Sequence, residues 1–316
     1  MADEALNFDT SLAGMKKADW IAAVEELCSA DGSFEQLGKR HYAAFIKRSE
    51  TLLVSFETLQ GIPALSSLAQ PLGWEMMLAH HWSSLCIASN GDTWFRDKYV
   101  YGYFDRLIDD GFFDDFEQVI FYGAGPCAYA AAAFSVASPG ARVLAVQPQA
   151  TLDPRITEWD DRFTSMRRTD FTSRYGYAPD MLDGAQAAYV VYDPREHLDA
   201  MHAALFTRPN TRKLRLRHMG DAIQTDLLEM DQLLPLLRAI ADDTLDDLTF
   251  AQMMRARRDH PPYLRNVLAA LDSDDREMLA LALARNVTAR MNAPRFARRL
   301  AATSQPDNTP VDDEDD

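Results

Sequence analysis

The chain of 316 residues is poor in the features that announce a chemistry. It has three cysteines, Cys28, Cys86 and Cys127, too few and too scattered for a disulfide framework or a zinc knuckle, so cysteine usage points to a reducing compartment. No run approaches 18 uninterrupted apolar residues, which argues against a transmembrane helix. The first residues, Met1-Ala2-Asp3-Glu4-Ala5, are acidic and carry neither a basic nor an apolar targeting region, so a cytoplasmic location is expected. Positive charge is also scarce. With 32 Lys and Arg against 48 Asp and Glu, the formal charge is −16, which speaks against nucleic acid and against anionic membrane as partners. No internal repeat is present, and the one low-complexity segment follows Ser304.

Part of the charge is local. Asp307 and Asp312 to Asp316 make an acidic tail without Lys or Arg, and removing its six acids still leaves −10. Residues 251–300 reverse the sign, with ten Arg against five acids. They read as a solvated helical surface followed by a disordered tail over residues 304–316.

Hydrophobic periodicity divides the remainder. Helical spacing over Lys16 to Ser29 and over Phe34 to Lys47 predicts a helical N-terminal cap, residues 1–48. From there the period shortens. Thr51 to Phe56, Ser84 to Ala88, Gln118 to Tyr122, Arg142 to Val146, Ala187 to Tyr192 and Lys213 to Leu216 are short β-favourable runs, mostly separated by helix-length segments. That alternation predicts an α/β core over residues 49–242, a doubly wound and mostly parallel sheet with helices on both faces. Residues 149–186 read as a lid-like insertion in it, and residues 243–303 as a helical C-terminal extension. Binding residues in such a sheet collect at the carboxyl ends of the strands.

The most informative stretch is the turn Gly123-Ala124-Gly125-Pro126-Cys127-Ala128, between an apolar strand and an alanine-rich helix. It admits two readings. As Gly-x-Gly-x-x-Ala it fits a dinucleotide fingerprint, an oxidoreductase-type site at Gly123 to Ala128. That fingerprint asks for a carboxylate after the next strand, where Gln147-Pro148-Gln149 stands instead. As Gly-x-nucleophile-x-Gly it fits the strand-to-helix elbow of the hydrolases, with Gly125 in the nucleophile position. The elbow reading demands an acid and then a histidine at the ends of later strands. Asp193 occupies the acid slot, and His218-Met219-Gly220-Asp221 the histidine slot.

Phe121-Tyr122-Gly123-Ala124, Ser89-Asn90-Gly91-Asp92-Thr93-Trp94-Phe95 and Gln147-Pro148-Gln149-Ala150-Thr151-Leu152-Asp153-Pro154 together resemble a bacterial branch of the α/β-hydrolase-like proteins. The resemblance spans about Thr51 to Gly220. It implies an α/β-hydrolase-like fold with a triad distributed over Gly125, Asp193 and either His218 or Asp221, the last standing where that family more often has its histidine.

The residues undercut the reaction this fold usually serves. Gly125 has no side chain, and Pro126 has no N–H for an oxyanion hole. Cys127 is either a replacement nucleophile, making a residual hydrolase, or a buried structural thiol. Asp193 is either the triad acid or a helix cap. His80-His81-Trp82 reads as structural, without a third metal ligand in view. The insertion carries Arg162, Arg167, Arg168 and Arg174 among Phe163, Phe171, Tyr175 and Tyr177, either a lid over an anionic or sugar-like ligand or a loop with aromatic anchors. The expectation is a catalytically degenerate binding or scaffold protein that requires no cofactor and no metal. A small-molecule or protein ligand would sit near Asn90, Gly91, Gly123, Gly125, Cys127, Gln149 and Asp193.

Overall fold

The computed structural model describes Phe8 and residues 10–303, so the expected acidic tail over residues 304–316 lies outside the described residues. The chain divides into two compact units, Met1–Ala256 and Arg257–Asp316. The boundary falls inside the expected extension over residues 243–303. The helix Asp247–Met253 therefore belongs to the first unit.

The first unit is built on one eight-stranded sheet. Its strands are β1 (Gly32–Leu37), β2 (His41–Ile46), β3 (Thr51–Thr58), β4 (Ser83–Ser89), β5 (Gln118–Ala124), β6 (Arg142–Val146), β7 (Ala187–Tyr192) and β8 (Thr211–Arg215). They lie in the order β1-β2-β4-β3-β5-β6-β7-β8. Strand β2 runs antiparallel to both β1 and β4, and every pairing from β4 to β8 is parallel. The six β-favourable runs of the sequence are β3 to β8.

Residues 34–47 correct the sequence reading. They form the β1–β2 hairpin rather than a second cap helix, turning at Gly38–Arg40. The reason is that β2 is buried on both faces. Ala43 packs into the larger core with Leu37 and Phe45, while Ala44 and Ile46 pack against Trp20, Val24 and Trp74. A strand with no polar face shows no clean alternation, and its apolar run imitates a helical stripe. The cap is thus one helix, Lys17–Cys28, whose buried Trp20 donates through Nε1 to the Ala69 carbonyl at 2.7 Å.

The opposite face of the sheet carries the helices Lys98–Asp109 and Pro126–Phe134. Every residue from Cys127 to Phe134 is buried, and the alanines let this helix lie against β3, β5 and β6. Its approach is closest at Gly123. A Cβ there would stand 2.2 Å from the Cys127 carbonyl oxygen, backbone that cannot swing aside. The insertion is pinned to the second of these helices by aromatic contacts, Phe134 on Tyr175 at 4.5 Å and Tyr129 on Phe171 at 5.5 Å, and to the first by the Arg174–Asp105 ion pair.

The second unit contains the helices Pro261–Ser273, Glu277–Arg290 and Pro294–Thr303 around Leu264, Leu268, Ala280, Ala284, Val287 and Phe296. Among the described residues, no helix is long and apolar enough to cross a membrane.

The contact at Gly123 generates a prediction. Gly123→Ala should lower stability by about 1–3 kcal/mol, the usual cost of overpacking a close-packed interior. Denaturant unfolding monitored by tryptophan fluorescence measures it, and an unchanged midpoint would contradict the close approach.

Candidate functional site

The turn after β5 has the backbone of a nucleophile elbow. Gly125 sits at φ 57°, ψ −125°, a region costly for any residue with a Cβ. The turn is held on both sides. Gly125 N–H donates to the Val146 carbonyl at the end of β6 (2.8 Å), and the Gly125 carbonyl accepts from Ala128 N–H (3.0 Å) inside the helix. A Cβ at Gly125 would meet nothing within 4 Å, so the place where a nucleophile would project is open. Pro126 is the first residue of the helix, where its fixed φ suits the backbone. A hydrolase elbow uses the N–H of this very residue for its oxyanion hole, together with one from the loop after β3. Pro126 has none, and in that loop Leu59 N–H donates to the Ser89 carbonyl and Gly61 N–H to Thr58 Oγ1.

The acid slot holds a structural carboxylate. Asp193 is buried directly after β7; its Oδ1 accepts from Arg195 N–H (2.9 Å) and its Oδ2 from Gly220 N–H (2.8 Å). It therefore turns the chain toward the helix His197–Leu205 and ties down the loop that follows β8. His218 stands in that loop at φ 67°, partly buried, and is not a wall residue of the cavity at the elbow. Asp221 is exposed and does reach that cavity.

The cavity over the elbow measures about 300 Å³. Gly125 and Pro126 form its floor, and its walls include Gln147, Gln149, Arg162, Phe163, Asp199, Asp221 and Gln224. The polar wall is one connected network. Gln147 Oε1 accepts from Ile223 N–H (3.2 Å), and Gln147 Nε2 donates to Asp199 Oδ2 (2.9 Å). Asp199 Oδ1 accepts from Arg162 Nη1 (2.7 Å), and Arg162 in turn bonds Asp160 through Nη2 (2.8 Å) and Nε. Behind them His202 Nδ1 accepts from Ala150 N–H (3.1 Å), which leaves the hydrogen on Nε2 to donate to Asp160 Oδ2 (2.9 Å). Burial alone would raise the Asp160 carboxyl. The hydrogen bonds from His202 and Arg162 outweigh it and hold the group well below the usual carboxylate range.

A second cavity of about 200 Å³ lies on the other side of the turn, lined by Phe56, Glu57, Ile62, Asp92, Pro126 and Cys127 among others. Glu57 is buried and accepts from Ser55 Oγ (2.6 Å) and from Leu72 N–H (3.1 Å) at the start of the helix Leu72–His80. Burial pushes its carboxyl up, and burial together with Glu57 pushes the Cys127 thiol up. A thiol poised for attack needs the opposite shift.

Of the residues singled out in the sequence, the cavity at the elbow unites Gly125, Gln149 and Asp221 with Arg162 and Phe163 from the insertion. Cys127 lines the second cavity. Asn90 and Gly91 stand elsewhere, in a knot with Arg40 and Gln60: Asn90 N–H donates to the Arg40 carbonyl (2.7 Å) and Gly91 N–H to Gln60 Oε1 (3.1 Å). Asn90 lines a separate cavity beside Trp20. Gly123 serves helix packing. His81 terminates the helix Leu72–His80 in the left-handed conformation, at φ 57°. Sequence reasoning missed Gln147, Asp160, Asp199, His202 and Gln224. The Gln147-Pro148-Gln149 motif did mark the strand end, yet Asp199 meets Arg162 only in the fold.

The strand order, the single reversed strand and the elbow after β5 define an α/β-hydrolase-like fold. No protein-family model and no curated protein matches the chain. Among solved structures the chain is similar to an esterase of Pyrobaculum calidifontis, 10% identical, covering 74% of this chain and 96% of that one, with a TM-score of 0.44. It is also similar to the esterase Pf2001 of Pyrococcus furiosus, 10% identical over 74% of this chain and 95% of that one, TM-score 0.41. A third likeness is to the capsule O-acetyltransferase of Neisseria meningitidis serogroup A, 13% identical over 64% of this chain and 92% of that one, TM-score 0.39.

The wall network carries a pH signature. A carboxyl depressed in the folded state adds stability that is fully present above its unfolded pKa of about 3.9 and is lost as pH falls through the folded value. Asp160→Asn should therefore cost about 3–5 kcal/mol near neutral pH by breaking a buried pair. The gap to the parent protein should narrow as pH drops below about 4. Denaturation midpoints across pH read both, and a gap independent of pH would contradict the assignment.

Proposed function

We propose that this protein is a non-hydrolytic ligand-binding protein built on an α/β-hydrolase-like fold, a degenerate enzyme that holds its ligand where acyl transfer would occur. The observation that carries the reading is the pair Gly125-Pro126. The elbow backbone is retained at φ 57°, ψ −125°, while the nucleophile's side chain and the neighbouring oxyanion N–H are both missing. Loss of a single oxyanion donor costs about 2.7–4 kcal/mol of transition-state stabilisation. Losing the nucleophile with it removes the reaction. Further support comes from Asp193, whose oxygens serve backbone N–H groups of residues 195 and 220. Cys127, buried beside Glu57, is a poor substitute nucleophile. The ligand would occupy the cavity at the strand carboxyl ends over Gly125.

Two measurements test this. The purified protein should not hydrolyse p-nitrophenyl acetate above background, and turnover abolished by Asp193→Ala would refute the reading. Gly125→Ser should fold, because the space is open, with a backbone penalty of about 1–3 kcal/mol. It should gain no esterase activity, since Pro126 still withholds the N–H. A nucleotide site at Gly123 to Ala128 would instead reveal itself as strong thermal stabilisation by NAD, FAD or adenosine phosphates.

A further inference from the structure

We infer that the ligand of the cavity over Gly125 is a neutral polyhydroxylated molecule of about the size of one sugar ring. This rests on the non-hydrolytic reading above and adds the chemical class.

Size comes first. At about 300 Å³ the cavity stands at the lower end of the range for ligand sites, which suits one ring and not a long chain.

Charge comes next. Among the described residues, the one cation of the wall, Arg162, faces Asp160 and Asp199 at 2.8 and 2.7 Å and is already neutralised. Asp221 adds a third carboxylate at the exposed rim. The wall and its immediate support therefore carry one positive and three negative groups. A phosphate or carboxylate entering here would leave water for a surface of its own sign, without an Arg fork to receive it.

The uncharged groups point the same way. Gln147, Gln149 and Gln224 present three carboxamides, each both donor and acceptor. Protein bonds hold each by one or two of its positions: Gln147 to Ile223 and Asp199, Gln149 to Trp94 and the Gln147 carbonyl, Gln224 to the Tyr122 hydroxyl. A carboxamide has four positions, so each retains capacity while its orientation is set. Groups that both donate and accept, in fixed orientation, match alcohol hydroxyls, which do the same. Phe163 supplies an apolar wall for the C–H face of a ring, itself braced edge-on by Trp94 at 4.8 Å.

The test uses the full chain. Methyl glucoside and methyl N-acetylglucosaminide are titrated by saturation-transfer NMR, against glucose 6-phosphate and glucuronate as anionic counterparts of similar size. At least one glycoside is expected to bind at up to millimolar concentration, and the anionic compounds roughly tenfold more weakly at low salt. Gln224→Leu should weaken glycoside binding by roughly tenfold. Asp221→Asn, at an exposed position that the fold does not need, should narrow the preference for neutral over anionic ligand. Tighter binding of the sugar phosphate, indifference of glycoside binding to Gln224→Leu, or no glycoside binding at millimolar concentration would each overturn the proposal. The two readings fail separately. Ester turnover abolished by Asp193→Ala sinks the non-hydrolytic reading, whereas silent glycosides with no ester turnover sink only the ligand class.

Discussion

The close approach of the helix Pro126–Phe134 to β5 governs the centre of this molecule. Because Gly123 has no Cβ, the Cys127 carbonyl can stand against the strand, and the chain must then reverse within two residues. That reversal places Gly125 at positive φ and aims the first helical turn at the carboxyl end of the sheet. Once the helix is seated, its alanine face meets β3, β5 and β6 and its far end receives Tyr175 of the insertion. The walls of the cavity are thus positioned by the same contact that forms its floor.

The architecture separates two requirements that an active hydrolase combines. Elbow geometry is a packing property of Gly123, the strand and the helix. Chemistry needs a nucleophile, an oxyanion donor and a base, and these depend on single side chains and one N–H. Glycine at position 125 relieves the backbone cost that a serine would bear there. Proline at position 126 is favoured at a helix start, for reasons unrelated to catalysis. Both residues make the turn easier to form; Gly125 offers no hydroxyl and Pro126 no N–H. The polar wall shows the complementary trend, since Asp160, Asp199, Arg162 and Gln147 form a bonded network whose order does not depend on turnover.

Much of this was legible in the residues. Strands β3 to β8 declare themselves as short β-favourable runs separated by helix-length segments, and Gly125-Pro126 declares a turn with no side chain at its apex and no N–H after it. The hairpin β1–β2 did not, because β2 is apolar on both faces and its pattern suits a helix equally well. Asn90 and Gly91 follow a strand, which places them in the expected site; the knot with Arg40 and Gln60 takes them away from the elbow. Arg162 is visible as a cation in the insertion, but whether it is a free anion receptor hangs on its near neighbour Asp160 and on Asp199, a distant partner that periodicity cannot pair with it.

By itself, the sequence determined the alternating α/β pattern, the position of the elbow, and that its apex is Gly125 followed by Pro126. These are local matters, set by spacing and by the identity of single residues. Only the tertiary structure decided that Asp193 serves backbone N–H groups, that Arg162 is neutralised, and that three glutamines, a phenylalanine and a rim carboxylate share one cavity over Gly125. The physical reason is that charge compensation and hydrogen-bond satisfaction are pairwise. Their partners lie as far as 102 residues away along the chain, as with Gln224 and Tyr122, and meet only when the sheet closes.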